Sequence, residues 1–253
     1  MAESSADEAR SMGGRSPRSG HRLIVTIDGP AGTGKSSVAR RAAGRLGLFV
    51  LDTGAMYRAV AWLAVREDVD AHDEAAVLAV LDRHPVDVDP ALDPPRVLVG
   101  GVDPGEALRG PGVESIVSTV AALPGVRNRL VEAQREIARR HPRLVTEGRD
   151  QGSVVFPDAT ARFYLTASAS VRAVRRAAQL RDEGRTVDPD QVLSGIESRD
   201  RLDASRSDGP LVRPDGAVVL DTDRLSLEAV VEEVVATVRA IVPAADLEAG
   251  ERS

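Results

Sequence analysis

The chain contains no cysteine, which rules out disulfides, thiolate zinc sites and cysteine nucleophiles together. Aromatic residues are nearly as scarce, with three Phe, two Tyr and one Trp in 253 residues. Apolar residues still make up 42% of the chain. The core must therefore be built from Val, Leu, Ala and Ile, a composition that suits the buried sheet of an α/β protein. Histidine is sparse as well: His21, His72, His84 and His141 are scattered without ligand spacing, so no histidine metal centre is expected. Positive charge is not in excess. A net charge of −6 and a pI near 5.4 speak against general nucleic-acid binding. No apolar run approaches the length of a membrane span, and residues 1–20 hold no apolar stretch of the kind a secretory signal needs. The expectation is a cytoplasmic protein with neither membrane nor nucleic-acid partners.

What the chain does contain is Gly29-Pro30-Ala31-Gly32-Thr33-Gly34-Lys35-Ser36, which fits G-x-x-x-x-G-K-[ST], the phosphate-binding P-loop. The apolar run Leu23–Ile27 before it reads as a buried strand, and Ser36–Ala43 after it is rich in helix formers. Strand, glycine loop and helix N-terminus are the context the motif requires. Glycines at positive φ let backbone N–H groups turn toward an anion, and the helix dipole adds positive charge at the same point. Gly29 through Ser37 are thus candidate nucleotide-binding positions. Lys35 would reach the β- and γ-phosphates, and the Ser36 hydroxyl would ligate Mg²⁺. A glycine-rich turn that binds nothing would not require Lys-Ser after the last glycine.

Residues 1–20 and 244–253 lack periodicity and read as disordered tails around one folded domain over 21–243. Within it, strand-like and helix-like segments alternate, the pattern of a parallel sheet covered by helices. A short strand at Leu48–Leu51 leads to Asp52-Thr53-Gly54-Ala55-Met56-Tyr57-Arg58, which opens a helix to about Val65. Another helix is expected over Asp73–Arg83, then a small hairpin from Val86–Asp89 and Arg96–Val99. Helices near Val113–Ala122 and Val126–Arg140 follow, broken at Pro124-Gly125. Strands at Leu144–Thr146, Ala161–Leu165 and Ala217–Leu220 complete the sheet, with an arginine-rich helix over Ala169–Asp182 and a helix continuing toward Arg199. The last helix carries Leu227, Val230, Val231, Val234, Val238 and Ile241, a stripe of helical period facing the core. The stretch between the second strand and Leu144 exceeds a normal crossover. It reads as an inserted substrate subdomain over about 60–142, with a shorter, polar lid over about 175–195.

Arginine dominates the remaining candidates: Arg58, Arg127, Arg149, Arg175, Arg176, Arg199 and Arg206. Phosphoryl transfer spreads negative charge over the transferred group and needs fixed positive charge around it. Guanidinium grips phosphate oxygens in bidentate fashion. Singly, each arginine could be a solvated surface charge. Placement lifts them, since Arg149 follows a strand's carboxyl end, where open α/β sheets bind ligands.

Five segments together resemble the bacterial cytidylate kinases, members of the nucleoside-monophosphate kinase group. They are Ile27–Pro30 with the P-loop, Leu51–Arg58, Val117–Arg127, Glu147–Ala159 and Arg199–Leu211. The resemblance covers about residues 22–242. It implies a three-part α/β kinase with a five-stranded parallel sheet of order 2-3-1-4-5. It also implies transfer from ATP, with Mg²⁺, to CMP or dCMP, by a monomer. Carried over residue by residue, Arg58 and Arg149 would hold the acceptor phosphate. Ser118, Arg127, Asp150 and Arg206 would face the cytosine, and Arg199 and Asp203 the sugar, with Thr53 close by. Arg175, in the lid, would bridge the phosphates of both nucleotides. Two positions depart from the pattern: Leu202 stands where arginine is common, and Gln151 replaces the usual apolar residue after Gly-Arg-Asp. Glu147 could order metal-bound water or serve as a cap or ion-pair partner. No general base is needed, because the acceptor phosphate is already anionic near neutral pH. Two rivals stay open: a kinase for UMP, AMP or shikimate, and a P-loop protein that holds ATP without transferring phosphate.

Overall fold

A computed structural model describes residues 22–92, 95–206 and 208–243. Both expected tails, and the middle of the turn between the hairpin strands, lie outside them. In chain order the elements are β1 (Leu23–Asp28), α1 (Lys35–Leu46), β2 (Phe49–Asp52), α2 (Thr53–Arg66), α3 (Glu74–Arg83), β3 (Val86–Asp89) and β4 (Arg96–Val99). After a 3₁₀ turn at Gly105–Arg109 come α4 (Pro111–Val120), α5 (Pro124–Arg140) and β5 (Arg143–Gly148). A π-helical turn at Gln151–Val155 precedes β6 (Ala161–Thr166), α6 (Ala169–Asp182), α7 (Pro189–Ser205), β7 (Val218–Asp221) and α8 (Leu227–Ile241).

The main sheet runs β2-β5-β1-β6-β7, which is 2-3-1-4-5 when its own strands are counted, and every pairing in it is parallel. Strand β1 lies at the centre and is buried throughout. Its side chains alternate between two apolar clusters: Leu23, Val25 and Ile27 join one, Ile24 the other, as a period of two demands. The first cluster is closed by α1 and α8, through Val38, Ala39 and Ala42 against Val230, Val231 and Val234. Helix α2 and the inserted elements cover the opposite face. There Met56, Val60 and Leu63 share one cluster with Val86, Val97, Val117, Leu130 and the sheet residues Leu51 and Leu144. The insertion therefore has no core of its own; its apolar side chains continue that of the sheet.

Local chemistry sets the element ends. Asp52, Asp73, Ser168 and Ser226 each cap a helix by accepting from the backbone N–H three residues on. Pro124 stands in the first turn of α5, where its missing N–H costs nothing. The expected break at Pro124-Gly125 is thus the start of α5. The expected lid is the end of α6, a turn through Gly184 and the start of α7. Asp188 caps α7, so the helix toward Arg199 is a new element. Register places the carboxyl ends together: Asp28 is level with Gly148 and Tyr164, and Asp52 with Glu147. No helix among the described residues is long and apolar enough to cross a membrane.

Candidate active site

At those strand ends the P-loop turns through Gly29, Gly32 and Gly34, all at positive φ. Gly29 has no alternative, since a Cβ there would run into the carbonyl oxygen of Leu165. Gly34 stands at the N-cap of α1 and no side chain caps that helix, so its first N–H groups are available to an anion. Lys35 Nζ donates to the Pro30 carbonyl at 2.8 Å, as does Thr33 Oγ1 at 3.0 Å. Burial, and then Arg149 nearby, push the Lys35 ammonium down to about 7. Ser36 Oγ donates to Glu147 at 2.6 Å, and burial, followed by Asp52, raises the Glu147 carboxyl. Thr53 is buried, with its hydroxyl donating to the Glu147 carbonyl at 2.7 Å.

Two cavities flank the loop. The first, about 190 Å³, is lined by Ala31, Gly32, Lys35 and Ser36 on the loop side. Arg58, Arg127, Arg149, Arg199 and Arg206 enter it from α2, α5, the end of β5 and α7, so five guanidiniums and the Lys35 amine face three carboxylates, Glu147, Asp150 and Asp203. Asp203 accepts from Arg149 Nε at 2.8 Å and pairs with Arg206 Nη2 at 2.6 Å. Burial alone would raise the Asp203 carboxyl, but these two guanidiniums hold it below the usual range. Arg58 pairs with Asp52 at 3.4 Å. Arg199 makes no hydrogen bond or ion pair among the described residues, and burial followed by Arg149 lowers it to about 10. Such a surplus of buried positive charge is a site built for anions. At the far end Arg127 and Asp150, 2% and 3% exposed, form a close ion pair. Arg127 also donates to Tyr57 at 3.4 Å. Gly209 sits against this pair, leaving no room for a Cβ.

The second cavity, about 200 Å³, lies between Thr33, Gly34, Ser37 and Val38 on one side and Thr222, Leu225, Leu227 and Val230 on the other. Arg175 lines this cavity and not the first. Its guanidinium is spent on Thr222, through Oγ1 at 3.0 Å and the carbonyl at 2.6 Å. Without nucleotide, Arg175 thus rests against the end of β7. Ser118 is half-buried on α4, next to Val117, which lines the first cavity together with Ala121. Leu202 is exposed and outside the site. Arg172 is the residue the sequence reading passed over. It is 4% exposed, donates to the P-loop carbonyl of Ala31 at 3.2 Å and grips Asp200 with two bonds of 3.0 and 2.6 Å. Its place one turn before Arg176, beside the buried Ala173, was the available signal.

No group of three or more His, Cys, Asp or Glu that could hold a metal ion occurs among the described residues. A cation carried by phosphate oxygens would find the Ser36 hydroxyl and the Glu147 carboxylate side by side, a donor set that suits Mg²⁺ with most of its shell from phosphate and water.

A P-loop on a 2-3-1-4-5 parallel sheet, with a guanidinium-lined cavity beside it, defines a P-loop kinase. A cytidylate kinase family model matches residues 25–240, and the chain belongs to the cytidylate kinase family. The cytidylate kinase of Rhodococcus jostii is 47% identical over 212 residues, covering 83% of this chain and 92% of that protein. That of Caldanaerobacter subterraneus subsp. tengcongensis is 43% identical over 215 residues, covering 85% and 94%. A bifunctional pantoate ligase/cytidylate kinase of Synechococcus elongatus is 46% identical over 221 residues, but these make up 42% of its length.

Proposed function

We propose that this protein transfers the γ-phosphoryl group of ATP to CMP or dCMP, giving ADP and CDP or dCDP, in pyrimidine nucleotide metabolism. The division of the P-loop between two cavities supports it: one loop can hold the phosphates between a donor on the Thr222 side and an acceptor on the Arg127 side. In this reading the N–H groups of α1 and Lys35 bind the donor phosphates. Ser36 would hold Mg²⁺, with Glu147 at its side, and the ion would supply neutralisation of phosphate charge. Arg58 and Arg149 orient the acceptor phosphate in line, Arg149 being steadied by Asp203. Arg199 adds charge where the transferred group passes, and positioning with electrostatic stabilisation accounts for the rate. Arg172 braces the P-loop, and Arg175 belongs to the donor side. The paired helices α6 and α7 act as the lid that excludes water.

Asp150 is the reader of the base. Cytosine offers an amino donor at N4 and acceptors at N3 and O2; uracil reverses the first two. A carboxylate and a guanidinium side by side match cytosine and leave uracil with buried polar groups unpaired. Each such mismatch is worth about 1–3 kcal/mol. The same reading takes the protein to be a monomer that acts on small molecules in the cytoplasm. Mixing the protein with ATP and CMP and measuring CDP, against a panel of UMP, AMP and shikimate, tests the activity. Asp150→Ala should lower kcat/KM for CMP far more than for UMP. An unchanged ratio would mean that Asp150 only steadies its arginine partner.

A further inference from the structure

Directly behind Asp150 lies a buried polar ladder that phosphoryl transfer does not require. Gln151, Gln134 and Thr146 are each 0% exposed, from the start of the π-helical turn, from α5 and from β5. The backbone at Gln151 is pinned, since its N–H and that of Gly152 donate to the two oxygens of Asp28, each at 2.8 Å. The direction of the side chain is pinned as well. It passes under the end of β5 so closely that a Cβ on Gly148 would lie 2.8 Å from its Cγ. Its Oε1 accepts from Thr146 Oγ1 at 2.8 Å, and its Nε2 donates to Gln134 Oε1 at 3.2 Å and to Asp150 Oδ1 at 3.4 Å. The carboxylate decides which way round this amide stands: turned over, its oxygen would face Asp150 and repel it.

Asp150 is therefore tethered at both oxygens, Oδ2 by Arg127 and Oδ1 by Gln151. With the second tether removed, the carboxylate is free to turn until both its oxygens face Arg127, the bidentate arrangement that guanidinium favours. The lone pairs it then directs at a ligand change. We infer that Gln151, oriented by Thr146 and Gln134, is a positioning residue that fixes the Asp150 carboxylate and so sets discrimination between cytosine and uracil. This rests on the cytidylate kinase reading of the site. A buried amide costs more than an apolar side chain unless all its partners are present, and here both its polar ends are used.

The test is Gln151→Met, which keeps the length of the side chain and removes both hydrogen-bonding ends. The expected result is a fall of about tenfold in kcat/KM for CMP, carried by KM, the worth of one hydrogen bond to a charged group. UMP should change less than twofold. Thr146→Val, which frees the Gln151 amide to turn, should narrow the CMP-to-UMP ratio by about threefold. In an Asp150→Ala background, Gln151→Met should leave the ratio where Asp150→Ala put it. Equal losses for the two substrates, or an unchanged ratio, overturn the inference and leave Gln151 a packing residue. If Gln151→Met does not fold, Thr146→Val decides alone by the same criterion. A wild type that does not prefer CMP overturns the function reading and this inference together; one that does, with variants of unchanged ratio, overturns this inference only.

Discussion

Lys35 is the only lysine in the chain, so its protonation can be followed without interference from other side-chain amines. Burial and the charge of Arg149 lower its pKa to about 7. With phosphate oxygens against it, the ammonium form regains the partners that burial denies it, and the pKa should return toward the ordinary lysine value of about 10.4. At pH 8 the free protein would carry roughly 0.1 proton on this amine and the ATP complex roughly 1, so binding should take up about 0.9 proton per site. The sign follows from the direction of the shift: the bound state holds more protons, so affinity falls as pH rises above 7. The measurement is calorimetric titration of ATP at pH 8, with a metal chelator present, in buffers that differ in ionisation enthalpy. The dependence of the observed heat on that enthalpy counts protons. At pH 6, where both states are protonated at Lys35, the uptake should nearly vanish, and Lys35→Met should abolish it at pH 8. Heats independent of the buffer at pH 8, a release of protons, or an uptake that survives in Lys35→Met would refute the reasoning.

Two further expectations concern the frame around the site. Glu114 on α4 takes Arg176 of α6 in a close ion pair and Arg185 at 3.2 Å, strapping the lid to the insertion. Partly exposed pairs are worth up to about 1 kcal/mol each. Glu114→Ala should therefore speed proteolysis in the 183–188 turn several-fold at low salt, and 0.5 M salt should erase the difference; equal cutting at low salt would sink the strap. Gly29→Ala puts a Cβ into the Leu165 carbonyl at a φ of +146°, so it should cost at least about 2 kcal/mol and lower the urea midpoint. A midpoint equal to wild type would show that the loop can move aside.

Where chemistry is local, the chain was open to reading in advance. The P-loop is written in eight consecutive residues, and its strand and helix follow from composition on either side. The hairpin strands Val86–Asp89 and Arg96–Val99 were legible to the residue, because Val-Asp alternation has one meaning under a period of two. Strand order came from resemblance, since no local pattern states which parallel neighbour a strand takes. The site divides in the same way. Arg58, Arg149, Arg199 and Arg206 were placed by their motifs, and the cavity collects them all. On α6 the motif ran out. Arg172, Arg175 and Arg176 lie within five residues, and the apolar stripe of Ala173, Ala177 and Leu180 leaves each of the three a possible route off the helix. Their destinations are set by what stands opposite: Asp200 for Arg172, Thr222 for Arg175 and Glu114 for Arg176. Those partners lie 28, 47 and 62 residues away in the chain. An arginine stem is long enough to follow whichever acceptor the fold supplies. For a cluster of guanidiniums on one helix, the sequence names the helix, and the pairing across the fold names the arginine.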